Sequence, residues 1–215
     1  MAVVAGGKEG LAQLEECLLI WPVEIGWHSL MFETSIALKW DYETMRLAAA
    51  REAVAALGLL LPSTEGRIYH FLDKRLTDHP TARCRAWRKH GEQMTMEQKK
   101  ANGINPRTFY SRAAFAELTE AGRGRPLAAH DMTLLRAQFT VFRYSAVIDS
   151  RQVLEAYPNS FYEHETLNSE CPACNRLDGL QTPADAIALF PPAGCICETA
   201  NYRVKPQIDW LEDID

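Results

Sequence analysis

The sequence lacks any apolar run long enough to cross a membrane. Its most hydrophobic stretch, residues 48–61, carries Arg51 and Glu52 inside it and is typical of a core helix. No basic leader followed by an apolar segment opens the chain, so no secretory signal is expected and a cytoplasmic location is predicted. In a reducing compartment, paired cysteines bind metal more often than they form disulfides.

Recognisable catalytic motifs are also scarce. No Gly-x-Ser-x-Gly elbow is present, and the Gly-Gly-Lys at residues 6–8 lacks the spacing of a phosphate-binding loop. His164 lies close before a Cys-x2-Cys pair, but the order does not fit a zinc deaminase, where proline precedes the first cysteine. Residues 162–165 are therefore interpreted as a surface polar stretch. An enzyme is the less favoured class.

Helical patterns dominate the first three quarters of the chain. Helices are predicted over residues 10–20, 34–61, 108–121 and 130–157, with another capped by Ser63 or Thr64. Val141 to Val147 leave part of the last helix ambiguous with strand. After Pro158 the sequence changes to short segments rich in cysteine and proline. The predicted fold is mainly α: a helical body, residues 1–158, followed by a small α+β zinc-binding appendage, residues 159–215.

Four of the six cysteines form two close pairs near the end of the chain. Cys171 and Cys174 are a Cys-x2-Cys pair, and Cys195 and Cys197 follow as Cys-x-Cys. Four thiolates in short paired spacings satisfy a tetrahedral Zn²⁺ without a further ligand, so they are predicted to bind one structural zinc. A redox dithiol and unliganded buried thiols are the alternatives. The isolated Cys17 and Cys84 are interpreted as core residues.

The same segment resembles the C-terminal module of phage Mu F-type minor head proteins, which function in head morphogenesis. Those proteins carry Cys-Pro-x-Cys, a Leu-Asp-Gly turn, and a proline-containing stretch before a final Cys-Arg-Cys. The matching residues here are Cys171, Pro172, Cys174, Leu177, Asp178, Gly179, Pro191, Pro192, Cys195 and Cys197. Two positions depart from the pattern: no histidine precedes Cys195, and Ile196 stands where arginine is usual. The resemblance implies a virion or prophage assembly protein that contacts a portal or capsid protein.

A basic segment suggests a second, nucleic-acid-binding function. Residues 83–125 carry a net charge of +6, although the whole chain has −5. The candidate phosphate-contacting residues for a DNA or RNA partner are Arg83, Arg85, Arg88, Lys89, Arg107, Arg112, Arg123 and Arg125. Residues 123–126 match the core of an AT-hook, and residues 94–114 partly resemble a helix-turn-helix. A solvated helical surface and an ordinary loop are the alternatives.

The final residues of the chain, 208–215, interleave acidic and large apolar side chains. Trp210 and Leu211 are candidate anchors for a groove on a protein partner, because an acidic-hydrophobic segment suits such docking. The alternative is that both side chains pack on their own domain. An interaction protein with a structural zinc module is thus the first functional hypothesis, and nucleic-acid binding is the second.

Overall fold

The computed structural model describes residues 39–73, 78–157, 159–167, 170–183, 186–200 and 202–208. The predicted helix over 10–20, Cys17, and the anchor candidates Trp210 and Leu211 lie outside these residues. The helices are α1 (Tyr42–Leu57), α2 (Glu65–Phe71), α3 (Pro80–Lys89), α4 (Met96–Ala101), α5 (Arg112–Ala116), α6 (Glu120–Arg123), α7 (Pro126–Ala156) and α8 (Pro172–Asn175), and the strands are β1 (Phe161–Thr166), β2 (Gln181–Thr182) and β3 (Tyr202–Gln207).

Helix α1 lies inside the predicted helix over 34–61, and its ends are set by local chemistry. The Asp41 carboxylate accepts a hydrogen bond from the Thr44 backbone N–H at 2.7 Å, which caps the first turn. Gly58 ends the helix in the left-handed conformation (φ 59°), and its N–H donates to the Val54 carbonyl at 3.0 Å. The helix therefore ends at Leu57, before Pro62 and four residues short of the predicted end.

Helix α7 spans 31 residues and is helical throughout, which removes the strand ambiguity around Val141 to Val147. It begins four residues earlier than predicted because Pro126 occupies its first turn, where no backbone N–H needs an intrahelical partner. Val141, Tyr144 and Val147 face the interior, whereas Phe142 is 56% exposed. That alternation follows the helical period and not the strand period.

The single helix predicted over 108–121 is wrong, because the structure divides it into α5 and α6. Thr119 caps α6 with its hydroxyl, and its backbone N–H donates to the Leu59 carbonyl at 3.1 Å. Leu118 forms an isolated antiparallel bridge with Leu60. Gly122 lies within α6 instead of ending a helix. A pairing with residues distant in sequence thus interrupts the helix, which no local pattern could indicate.

The body has a hydrophobic core between α1, α2, α3 and α7. Residues such as Ala53, Ile68, Trp87 and Leu134 lie in it and are almost fully buried. Alanines on α1 let it pack closely along α7. Helices α3 and α4 lie between residues 78 and 106, where no helix was predicted from the sequence.

The C-terminal residues form a three-stranded antiparallel sheet in the order β2-β1-β3. Tyr162 of β1 pairs with Thr182 of β2 and with Pro206 of β3. The sheet packs against α7 and shares a second core with Met45 and Tyr144 from the body. A mainly α fold with a small α+β appendage is therefore confirmed. Among the described helices, none is long and apolar enough to span a bilayer.

Candidate metal centre

Two turns position the four cysteines of the C-terminal segment. Cys171 precedes α8, whose first residue is Pro172, and Cys174 lies within the helix. The second pair follows a turn in which the Cys195 N–H donates to the Pro192 carbonyl at 2.9 Å. Gly194 adopts φ 76° in that turn, a conformation that glycine tolerates best. Proline and glycine thus bring both pairs to one point.

The four sulfur atoms form a compact cluster. All four Sγ atoms lie within 4.8 Å of one another. The Cys174 Sγ lies 3.5 Å from the Cys195 Sγ and 3.7 Å from the Cys197 Sγ. A tetrahedral ion with sulfur ligands at about 2.3 Å places its sulfurs about 3.8 Å apart, whereas a disulfide requires about 2.0 Å. The four thiols are free of disulfides, and together they can hold a metal ion.

Hydrogen bonds and neighbouring charge shift the pKa values of the clustered thiols, lowering some and raising that of Cys174. Shared hydrogen bonding with Cys174 lowers the pKa of Cys195 to about 5, and Arg136 acts in the same direction. The same contact raises the pKa of Cys174, which holds the proton. Burial tends to raise the pKa of Cys171, but backbone N–H groups, including that of Ile196 at 3.4 Å, lower it overall. A divalent cation at the centre of the cluster would take the place of the shared proton.

One buried arginine of α7 contacts this cluster and a second contacts the segment that carries it, and neither was predicted from the sequence. Arg136 donates to the Cys197 carbonyl at 2.5 Å, and its Nη1 lies 3.9 Å from the Cys195 Sγ. Arg143 donates to the carbonyls of Leu189 at 2.7 Å and Ala200 at 3.2 Å. The available signal was their seven-residue spacing, which places two arginines on one face of a largely apolar helix.

His164 is not among the four clustered ligands, and its surface assignment was wrong. Its side chain is fully buried in β1, as is that of Tyr162. The Nδ1 atom lies 3.1 Å from the Leu180 carbonyl, and the Ala188 N–H donates to Nε2 at 3.4 Å. A neutral imidazole protonated on Nδ1 satisfies both contacts, and burial lowers its pKa accordingly. Strand alternation turns positions 162 and 164 inward while 163 and 165 remain more exposed.

The eight basic candidates are divided between interior and surface. Arg83 and Arg88 are buried. Arg83 donates to the Gln138 Oε1 at 3.1 Å, and Arg88 forms an ion pair with Asp131 at 2.9 Å. These two guanidinium groups stabilise the packing of α3 on α7, and they are not available to phosphates.

The other six candidates are exposed, but two of them have carboxylate partners. Arg112 pairs with Glu92 at 3.3 Å, and Arg125 pairs with Glu198. Within the described part of the chain, the exposed candidates without a carboxylate partner within 4.0 Å are Arg85, Lys89, Arg107 and Arg123.

The two predicted DNA-binding motifs have different conformations from those expected. Residues 123–126 are not an extended AT-hook, because α6 ends at Arg123 and α7 begins at Pro126. Residues 104–111 contain no helix, so a helix-turn-helix would lack most of its second helix.

No family model, curated protein or solved structure matches the chain. The chemical role of the cysteine cluster therefore follows from its own geometry and chemistry.

Proposed function

We propose that the C-terminal segment is a zinc-stabilised structural module of an interaction protein. The observation that carries this proposal is the convergence of four Sγ atoms, from two cysteine pairs separated in sequence, within 4.8 Å of one another. Four soft sulfur ligands at this spacing favour Zn²⁺, and such a set leaves no open position for water or substrate. The ion would stabilise the fold, not perform catalysis.

The redox alternative is less well supported by the same geometry. A redox dithiol needs two sulfurs that can approach to about 2.0 Å. Here Cys174 lies at nearly equal distances from two sulfurs of the other pair. An arrangement that brings all four thiols within 4.8 Å of one another suits a shared ion better than one exchangeable disulfide.

Metal content of the purified full chain tests the proposal. We expect one zinc per chain by elemental analysis, and no stable zinc in Cys174→Ser. Cys84→Ser is the matched control, since Cys84 is also fully buried but its thiol contacts the His130 carbonyl, away from the cluster. Wild-type protein without stoichiometric metal, or equal zinc in both variants, would contradict the proposal.

A protein partner is the second part of the proposal. In the sequence, Ile196 stands between Cys195 and Cys197, and it is 76% exposed. Leu180, another residue of the module, is 42% exposed. Exposed apolar side chains on a rigid metal knuckle provide anchors for another protein surface. The resemblance to phage minor head proteins supports a portal or capsid protein as that partner. Co-sedimentation with assembled heads, lost in Ile196→Asp, is the expected result; unchanged co-sedimentation of that variant would exclude this anchor.

Nucleic-acid binding remains the alternative function, favoured by one surface observation. The Lys89 Nζ lies 5.2 Å from the ring centre of Phe109, which is 55% exposed. Arg85 lies one helical turn before Lys89 on α3. A cation beside an exposed aromatic ring can contact a phosphate while the ring stacks on a base.

Fluorescence anisotropy with labelled single-stranded DNA and RNA, measured across a salt series, tests this alternative. Binding that weakens linearly in log K against log salt, and that is reduced in Phe109→Ala, would support it. Absence of binding at low salt would leave this patch a solvated surface.

A further inference from the structure

Arg136 and Arg143 are almost fully removed from solvent, at 2% and 3% exposure. Both belong to α7, and both reach across to the C-terminal segment that carries the cysteines. A buried cation without a compensating charge is strongly destabilising. The identity of the counter-charge therefore needs a physical explanation.

The contacts of the two arginines differ in one respect. Arg136 makes a bidentate ion pair with Glu52 of α1, at 2.7 and 3.1 Å to its two oxygens. Arg143 donates instead to neutral acceptors, namely three backbone carbonyls and the Thr140 hydroxyl at 2.9 Å. Its guanidinium also lies 4.1 Å from the ring centre of Tyr202. Among the described residues, no carboxylate lies within 4.0 Å of Arg143.

The cysteine cluster can supply the missing negative charge. Four thiolates around a divalent ion carry a net charge of −2, whereas the two arginines carry +2, of which Glu52 already offsets one charge. Arg136 touches the cluster at the Cys195 Sγ and the Cys197 carbonyl. Burial lowers the pKa of Arg143, and Tyr202, Glu52 and Cys174 partly offset that effect.

We propose that Arg136 neutralises the metal–thiolate centre, and that Arg143 is a positioning residue that holds the segment carrying the cysteines against α7. This inference rests on the proposed metal-binding function. It makes metal loading and the packing of the module on α7 mutually dependent. The metal–thiolate centre would place a negative charge beside Arg136, and Arg136 would in turn stabilise the thiolates against protonation.

Zinc affinity of the full chain, measured by competition with a chromophoric chelator, tests this inference. We expect Arg136→Met and Arg143→Met each to lower zinc affinity about 10- to 100-fold, the range typical for outer-shell partners. The pH at which half of a bound Co²⁺ is released should rise in both, since protons then compete better for the sulfurs. Arg151→Met is the matched control, because Arg151 is an exposed arginine of the same helix, paired with Glu155.

Glu52→Gln separates charge compensation from a purely structural bridge. Removing a negative charge beside an anionic centre should leave zinc affinity unchanged or raise it. A bridge that served only to hold α1 near the module would instead lose affinity in Glu52→Gln as it does in Arg136→Met. Equal losses in those two variants would overturn the inference.

The remaining outcomes are also decisive. Folded Arg136→Met and Arg143→Met proteins that bind zinc like wild type would overturn the inference and leave the proposed function intact. A wild-type chain that takes up no zinc would overturn both together. If the methionine variants do not fold, Arg136→Lys and Arg143→Lys keep the charge: retained affinity supports the inference, and lost affinity with an intact helical signal contradicts it.

Discussion

The helical body and the C-terminal module differ in what completes their hydrophobic cores. The body core consists largely of aliphatic and aromatic groups from four helices, such as Leu134 and Trp87. The core of the module includes cysteines and the tyrosines Tyr162 and Tyr202, and Met45 and Tyr144 of the body also pack in it. Its strand β2 has only two residues. A segment this small buries little apolar area by itself. The surface of α7 adds to that area, and the metal ion proposed above would supply further stabilisation.

The largest expected effect is the loss of the metal centre. In Cys174→Ser the module should lose most of the stabilisation that a structural zinc provides, which is about 10–16 kcal/mol in isolated zinc-finger peptides. Amide hydrogen exchange should accelerate across β1, β2 and β3, while α1 and the first half of α7 stay protected. Circular dichroism should retain most of the helical signal. An equal loss of helix in this variant would show that the body and the module do not differ in their dependence on metal.

A pair of cavity-forming variants sharpens the comparison. Leu134 of the body and Leu189 of the module are both fully buried. We expect Leu134→Ala to lower the free energy of unfolding by about 2–5 kcal/mol, with or without a chelator, because its cavity lies in a core that needs no metal. Leu189→Ala should instead weaken zinc binding, about tenfold for each 1.4 kcal/mol lost. Urea titrations and chelator competition measure the two effects; similar behaviour of both variants would contradict the distinction.

Gly122 tests how closely the short helix α6 packs in the body. A β-carbon at this position would lie 2.0 Å from the Leu59 carbonyl oxygen, a backbone atom that cannot rotate away. Gly122→Ala should therefore cost about 1–3 kcal/mol by overpacking. Gly66→Ala is the control, because no atom lies within 4 Å of its added carbon and alanine favours the helix. Equal stability of the two variants in urea would indicate that α6 and Leu59 separate easily.

The buried histidine of the body, His130, predicts a loss of stability in acid. In the body, His130 packs against Trp87, its Nε2 has no hydrogen-bond partner, and burial lowers its pKa to about 4. The unfolded chain therefore binds a proton from about pH 6.5 downward while the folded chain does not until about pH 4. Stability should fall by about 1.4 kcal/mol per pH unit across that window as the pH decreases.

Urea unfolding of the metal-free protein at pH 7 and pH 5 measures this effect without acid release of the ion. His130→Gln cannot gain the proton, so the difference between the two pH values should be smaller in that variant. The same pH dependence in both proteins would assign the acid sensitivity to other groups.

Much of the fold could be predicted from local patterns, and the exceptions have identifiable causes. The Ala-rich pattern of α1 and the periodicity of α7 are local signals, and both helices were predicted. The break between α5 and α6 could not be predicted, because it depends on pairing of Leu118 with Leu60. The burial of His164 could not be predicted either, because it depends on which face of the sheet meets α7.

The sequence by itself determined the candidate ligands, because paired cysteine spacing is a local property that zinc chemistry constrains tightly. It also determined the helical class, because helical periodicity is written along the chain. Only the tertiary structure decided that Arg136 contacts the cluster and Arg143 the segment that carries it, since residues distant in sequence meet there. It likewise removed Arg83 and Arg88 from the accessible basic surface, because burial depends on how helices pack and not on the type of residue.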